Sequence, residues 1–181
     1  MYTTKLPKEG EYPEFYKPYI KALDNDDLLE NLEQVHQASQ SLFGSYPENK
    51  WDYRYAEGKW NVKEILGHLI DAERIFSTRA MRFARNDQTP LPGFEQNDYV
   101  PESNVAHRTV PDLLQELTWL RKANIRMFEN FTPEMLERRG VASGWPISVM
   151  ALGFVIAGHE RHHQRIFQER YAGSGRSGLR S

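Results

Sequence analysis

Three of the six histidines in this 181-residue chain lie within five residues near its C-terminal end, at His159, His162 and His163. His159 and His163 are four residues apart, so on a helix they share one face about one turn from each other. Two imidazoles in this relation can bind one divalent cation, and the spacing recurs in metal sites. His162 is rotated by about 100° from His163 and faces elsewhere. The pair predicts a metal site that needs a third ligand from another part of the chain.

His68 is a candidate for that third ligand. It is flanked by Leu66, Leu69 and Ile70 in a second segment with helical periodicity. A buried imidazole needs a hydrogen-bond partner for each ring nitrogen, so the structural alternative is that Asp71 or a backbone carbonyl satisfies His68. Three imidazoles that converge from two helices would leave one or more coordination positions for water. That open arrangement is the one that catalytic zinc uses.

The amino-acid composition excludes several kinds of functional site and binding partner. The chain has no cysteine, which excludes thiolate zinc sites, disulfides and a cysteine nucleophile. Its formal net charge of -2 is typical of neither a nucleic-acid binder nor a polyanion binder. The first ten residues lack the layout of a signal peptide, and no apolar run approaches the roughly 20 residues of a membrane span. We therefore expect a cytoplasmic protein without a nucleic-acid or membrane partner.

The periodicity of apolar residues predicts an all-α fold with four long helices. These are predicted from a cap at Asp24 or Asn25 to a closing Gly44, from Asn61 to about Phe83, from Pro111 to Phe131, and from Ile147 to about Tyr171. A four-helix bundle follows for residues 24–171, with an extended arm packed on it (residues 1–23) and a disordered tail (residues 172–181).

Two connections between the predicted helices differ in character. Residues 86–107 form a long loop between the second and third helices, in which Phe94 and Tyr99 could cover a pocket; an ordered surface loop is the alternative. Thr132 and Pro133 open a short helical piece. Residues 138–146 are predicted to be a glycine-containing connector without regular structure.

His159, Glu160 and His163 also satisfy the H-E-x-x-H pattern of zinc metallopeptidases, with Glu160 as the candidate base. The extended pattern of that class would place a glycine and a third histidine where Ile166 and Glu169 stand. No sheet is predicted that could bind an extended substrate. The pattern is five residues long and arises by chance on many helices, so a peptidase is disfavoured.

Two segments carry a family resemblance, GKWNVKEILGHLIDAE at residues 58–73 and AGHERHH at residues 157–163. With them, the chain resembles the DinB-like superfamily, in the branch of YfiT-type metal-dependent hydrolases and bacillithiol transferases, over about residues 20–171. The resemblance implies a four-helix bundle, a homodimer, and one divalent metal ion per chain, zinc or nickel, bound by His68, His159 and His163. Its members include enzymes that transfer a low-molecular-weight thiol to an electrophile, and others named as hydrolases.

Three hypotheses for function stay open from the sequence. The first is a metal-dependent enzyme that acts on a small molecule by thiol transfer or hydrolysis. The second is a non-catalytic, stress-associated metal-binding bundle, in which Asp71, Glu73 or Glu160 closes the site as a fourth ligand. The third is a structural module whose histidines are core polar residues. No catalytic acid or base is assigned, and Asp71, Glu160 and His162 are only neighbours of the predicted site.

Overall fold

The computed structural model describes residues 5–171, whose regular elements are mostly helical. The helices are α1 (Lys17–Ile20), α2 (Leu28–Gly44), α3 (Val62–Ala84), α4 (Gln96–Glu102), α5 (Val110–Glu129), α6 (Pro133–Glu137) and α7 (Val149–Arg170). Two short strands, β1 (Arg139–Ala142) and β2 (Trp145–Ser148), precede α7. Short 3-10 turns lie at Glu14–Tyr16, Glu48–Lys50 and Val105–His107.

The four long helices α2, α3, α5 and α7 form a bundle in which α3 and α2 each pack on both α5 and α7. Helices α2 and α3 therefore lie on one diagonal of the bundle, and α5 and α7 on the other. Because consecutive helices occupy diagonal corners in two cases, the chain needs long connections there, residues 45–61 and 130–148. None of the helices in the described part of the chain is long and apolar enough to cross a membrane.

The ends of the long helices are set by side chains that the sequence makes recognisable. Asn61 accepts a hydrogen bond from the backbone N–H of Glu64, whose carboxylate accepts one from the backbone N–H of Asn61. This capping box satisfies two of the N–H groups that a helix start leaves without partners. Thr132 caps α6 and Ser148 caps α7 through one such bond each, accepted by the side chain from the backbone N–H of Met135 and of Ala151. The predicted starts at Asn61 and Thr132 are confirmed.

Other predicted helix boundaries are wrong by a few residues. The cap of α2 is Asp27, while Asn25 accepts a hydrogen bond from the backbone N–H of Asp27 and so forms the turn before it. Gly44 is the last residue of α2, where the sequence predicts the helix to close. The last helix begins two residues later than predicted, at Val149, and α5 ends at Glu129.

The connector predicted for residues 138–146 is largely a β-hairpin. Its two-residue turn, Ser143 and Gly144, has positive φ at both positions (53° and 82°), which matches the twist of paired strands. Each strand is only four residues long, too short for alternation to be visible in the sequence. Leu91 pairs with this hairpin: its backbone N–H donates to the carbonyl of Val141 and its carbonyl accepts from the N–H of Ser143.

Within residues 5–23, a 3-10 turn precedes α1, and α1 packs on α7. Tyr12, Tyr16 and Tyr19 pack on the bundle core, whereas Phe15 is exposed. Tyr16 contacts Phe76 edge-on at 6.0 Å between ring centroids. The long connection between α3 and α5 is also more regular than predicted, because it contains α4 and a 3-10 turn. The predicted tail, residues 172–181, lies outside the described residues.

Candidate metal centre

The bundle brings His68 of α3 together with His159 and His163 of α7. The Nε2 atom of His159 lies 3.0 Å from Nε2 of His68 and 3.2 Å from Nε2 of His163. One ligand nitrogen from each ring lies within 4.8 Å of the others. The residues that the sequence singled out therefore converge on one point.

This spacing fits a divalent cation. Zinc–nitrogen bonds of about 2.0–2.1 Å at tetrahedral angles would separate two ligand nitrogens by about 3.3 Å. The observed separations of 3.0 and 3.2 Å are close to that value. Among residues 5–171, no aspartate or glutamate joins the three histidines in a ligand cluster. The donor set is three neutral imidazoles, which suits zinc, nickel and other metals that prefer nitrogen ligands.

Burial keeps the three imidazoles uncharged. It lowers the pKa of His68 to about 4. Burial, reinforced by the neighbouring histidines, also holds the pKa values of His159 and His163 well below the ordinary value. Near neutral pH each ring therefore has an unprotonated nitrogen available to a metal. His68 and His159 are buried, whereas His163 is partly exposed.

Aromatic rings surround the cluster. Trp60, directly before the cap of α3, lies 4.8 Å from the ring of His68 and is stacked on His163 at 6.3 Å. Tyr19 contacts His159 edge-on at 5.5 Å. Neither ring is singled out from the sequence as part of the site. The position of Trp60 directly before the Asn61 cap of the helix that carries His68 was the available signal.

Gly158 permits the close approach of residues 5–23 to this site. A Cβ atom at position 158 would lie 2.3 Å from the carbonyl oxygen of Tyr19, a distance that folded proteins do not tolerate. The glycine that precedes His159 is therefore required by packing: it lets the Tyr19 backbone lie directly on α7. The ring of Tyr19 can then cover both His159 and His162, which it meets at 5.5 and 5.2 Å.

Glu73 and Glu160 are not in the group of possible metal ligands, and both bind Arg121 of α5. The Nε and Nη2 atoms of Arg121 donate to the two carboxylate oxygens of Glu73, each at 2.8 Å, and Nη2 also donates to Glu160 at 2.5 Å. Nη1 donates to the backbone carbonyl of Leu32 at 2.6 Å. All three charged side chains are buried. Sequence reasoning missed Arg121, which sits in an ordinary amphipathic helix pattern.

The remaining residues near the predicted site have other surroundings. Asp71 lies 3.9 Å from Arg74, and burial raises the pKa of its carboxyl group. His162 is partly exposed and packs on Tyr19, as its rotation from His163 predicts. His36, on α2, contacts Thr118 at 3.1 Å, and His107 is exposed. The cluster thus contains the three histidines alone.

The four-helix bundle and the three imidazoles in its interior place this chain in the class of helical proteins with a candidate divalent-metal centre. Within that class the chain belongs to the DinB superfamily, whose family model matches residues 31–167. The family and the bundle fold predicted from the sequence are both confirmed.

Two relatives illustrate the similarity. A protein of Oceanobacillus iheyensis named "Putative metal-dependent hydrolase" is 24% identical over 145 residues, which cover 76% of this chain and 82% of the relative. The solved structure of YfiT from Bacillus subtilis superimposes with a TM-score of 0.73, over 95% of this chain and 94% of that one. It is described as "a probable metal-dependent hydrolase with an unusual four-helix bundle topology". At 16% sequence identity, this second match establishes the fold.

Proposed function

We propose that this protein is a divalent-metal-dependent enzyme that acts on a small molecule, with His68, His159 and His163 as the ligands of zinc or nickel. The observation that carries the proposal is the convergence of three neutral Nε2 atoms from two helices, at 3.0 and 3.2 Å. A divalent cation held by three imidazoles supplies Lewis acidity, which lowers the pKa of water on zinc to about 7 and deprotonates a coordinating thiol.

The residues around the cluster have definable parts in such an enzyme. His163 is the partly exposed member of the cluster, so we place the entry of a small molecule on its side. Trp60 and Tyr19 pack against the rings and restrict their orientation. In a partly dry site, electrostatic interactions are stronger than in bulk solvent. The chain therefore positions the imidazoles and excludes water, and it leaves one side for the substrate.

Two reactions suit this site. Hydrolysis is supported by the names of the two relatives, both called metal-dependent hydrolases. Transfer of a low-molecular-weight thiol is supported by the donor set, because a divalent metal held by three imidazoles would lower the pKa of a thiol and so make it a nucleophile. Since the chain has no cysteine, that thiol would come from a substrate.

The alternative of a closed, non-catalytic metal site is less well supported. It requires a fourth protein ligand, and Glu73 and Glu160 are both bound to Arg121. One carboxylate oxygen of Glu160 is paired with that guanidinium, and the other has no hydrogen-bond partner among the described residues. The side chain is 2% exposed, and this burial argues against its use as the base of an H-E-x-x-H peptidase. The homodimer and the cytoplasmic location expected from the sequence stay predictions.

Metal content per chain, measured by elemental analysis on protein purified without a histidine tag, tests the proposal. We expect about one zinc or nickel ion in the wild type. His68→Ala should lose most of the metal, because it removes the ligand that α3 contributes. His107→Ala is the matched control, since it removes an exposed imidazole away from the cluster. Equal metal in His68→Ala and the control would refute the three-histidine site.

Cobalt substitution separates the two reactions. Thiol transfer at the metal requires that an added thiol give the Co²⁺ protein a thiolate-to-metal charge-transfer band. Absence of the band would therefore contradict thiol transfer and leave hydrolysis. The band should be absent from His68→Ala loaded with the same amount of Co²⁺. A protein that takes up no divalent metal, even after reconstitution, would contradict both reactions.

A further inference from the structure

A cavity of about 310 Å³ lies along α3. Its walls come from one face of α3 and from the connection that follows that helix. None of the three clustered histidines lines it. Its volume is at the lower end of the range of small-molecule sites. The lining includes three arginines, a threonine and two aromatic residues: Arg74, Arg79, Arg82, Thr78, Phe94 and Tyr99.

Arg79 is the unusual member of this wall, because its charge is buried without an acidic partner. The side chain is 3% exposed. Within residues 5–171, no aspartate or glutamate lies at ion-pair distance from it; Nη2 instead donates to the carbonyl of Pro92 at 2.7 Å and to the hydroxyl of Ser143 at 3.1 Å. Tyr16 provides a further hydrogen bond. These neutral partners account for three contacts, while a guanidinium has five N–H donors.

The other two arginines of the cavity, unlike Arg79, are paired with acidic side chains. Arg74 is paired with Glu116, and Arg82 with Asp87 at 2.6 Å. Burying a cation without a counter-charge is costly. Burial accordingly lowers the pKa of Arg79, opposed by weaker contributions from Tyr16. An anion that enters the cavity would supply the missing counter-charge.

The cavity is held in shape by backbone contacts. Leu91 is bonded to the hairpin through its N–H and its carbonyl, at 2.8 and 3.0 Å. Arg79 ties Pro92 to Ser143 of the same hairpin. The rings of Phe94 and Tyr99 meet edge-on at 5.4 Å on the outer side. A preformed wall of this kind reduces the entropy that a ligand would lose on binding.

We propose that this cavity binds a small organic carboxylate, whose carboxylate group pairs with Arg79 and whose apolar body contacts Phe94 and Tyr99. The planar guanidinium fork matches a carboxylate. The aromatic rings favour an organic anion over a bare inorganic one, since they offer nothing to a fully hydrated ion. Phe76, whose ring lies 5.8 Å from His159 and 5.9 Å from the guanidinium of Arg79, stands between this cavity and the histidine cluster.

Isothermal titration calorimetry of the intact protein with benzoate tests this proposal, with benzamide as an uncharged ligand of the same shape. Benzoate should bind, and benzamide should bind about tenfold or more weakly, because it lacks the charge-assisted hydrogen bonds. Arg79→Gln should weaken benzoate binding by about the same factor. Its amide can still donate to the carbonyl of Pro92, which limits the damage to the fold. Arg126→Gln, an exposed arginine on α5, is the control and should bind benzoate as the wild type does.

A second variant keeps the charge and removes the space. Thr78 is exposed on α3 at the cavity, so Thr78→Trp should fold and fill it while Arg79 remains. Loss of benzoate binding in Thr78→Trp is the expected result. The proposal is overturned if the wild type does not bind benzoate, if both variants bind it unchanged, or if benzamide binds equally well. Displacement of benzoate by equimolar inorganic phosphate would also overturn it, by showing that the cavity selects charge alone. Metal content does not enter this test, so its outcome is independent of the metal-centre proposal.

Discussion

Replacing Arg121 by methionine should destabilise the bundle more than any surface charge change. The guanidinium is 1% exposed and donates to Glu73, Glu160 and the carbonyl of Leu32. Arg121→Met removes these donors and leaves two carboxylates buried near each other. Removing one partner of a buried ion pair costs about 3–5 kcal/mol of unfolding free energy. For a chain of this length that lowers Tm by about 6–20 °C.

Urea denaturation at pH 7 measures this effect against a matched control. Arg126→Met, on the same helix, removes an arginine that is 77% exposed and that pairs, among the described residues, only with Glu129; it should cost at most about 1 kcal/mol. The triple variant Arg121→Met, Glu73→Gln, Glu160→Gln should be more stable than Arg121→Met alone, because it also removes the stranded charges. Equal costs for the two arginine variants, or a triple variant no more stable than the single one, would refute the reasoning.

Two further predictions concern the histidine cluster in metal-free protein. The pKa of His68 is about 4 in the fold and about 6.5 in the unfolded chain, so the unfolded state binds more protons below about pH 6.5. The free energy of unfolding therefore decreases as the pH is lowered below that value. From pH 7 to pH 5 we expect a loss of about 2 kcal/mol from His68, measured by urea denaturation with EDTA; an unchanged pH slope in His68→Gln would contradict this. Gly158→Ala should displace the Tyr19 backbone and lower the free energy of unfolding by about 1–3 kcal/mol. Limited proteolysis should then cut residues 5–23 faster than in the wild type. The control Gly144→Ala, at a position with open space around it, should not speed this cleavage.

The parts of the fold that the sequence predicts are those with local causes. Asn61 and Thr132 indicate helix starts, because each side chain accepts a hydrogen bond from the backbone N–H three residues later. Four consecutive residues therefore contain the whole interaction. The pairing of His159 with His163 is local in the same sense, since one helical turn fixes it. The hairpin lacks such a signal: its strands are four residues long, and the bonds from Leu91 that complete it come from a distant part of the chain.

The partners in the bundle interior could not be read from the sequence for a related reason. Glu73 and Arg121 are 48 residues apart, and Arg121 and Glu160 are 39 apart, so no periodic pattern links them. Each residue taken alone is typical of a solvated helix face. The same limit applied to His68, whose position in an apolar stripe was equally consistent with a hydrogen-bonded core histidine. For His68 it was a resemblance over a long segment, and not spacing, that favoured the metal site.

The buried ion cluster and the histidine cluster share the same two helices, and this explains why the H-E pair of α7 is arranged as it is. Residues 159 and 160 are rotated by about 100° on the helix, so their polar groups meet different partners. His159 faces His68 of α3, while Glu160 faces Arg121 of α5. Arg121 in turn binds Glu73, which lies on α3 about one and a half turns beyond His68. One guanidinium thus ties α3 to α7 next to the point where their imidazoles meet. The acidic residue of the H-E-x-x-H pattern serves here to fix the helix positions on which the three-histidine geometry depends.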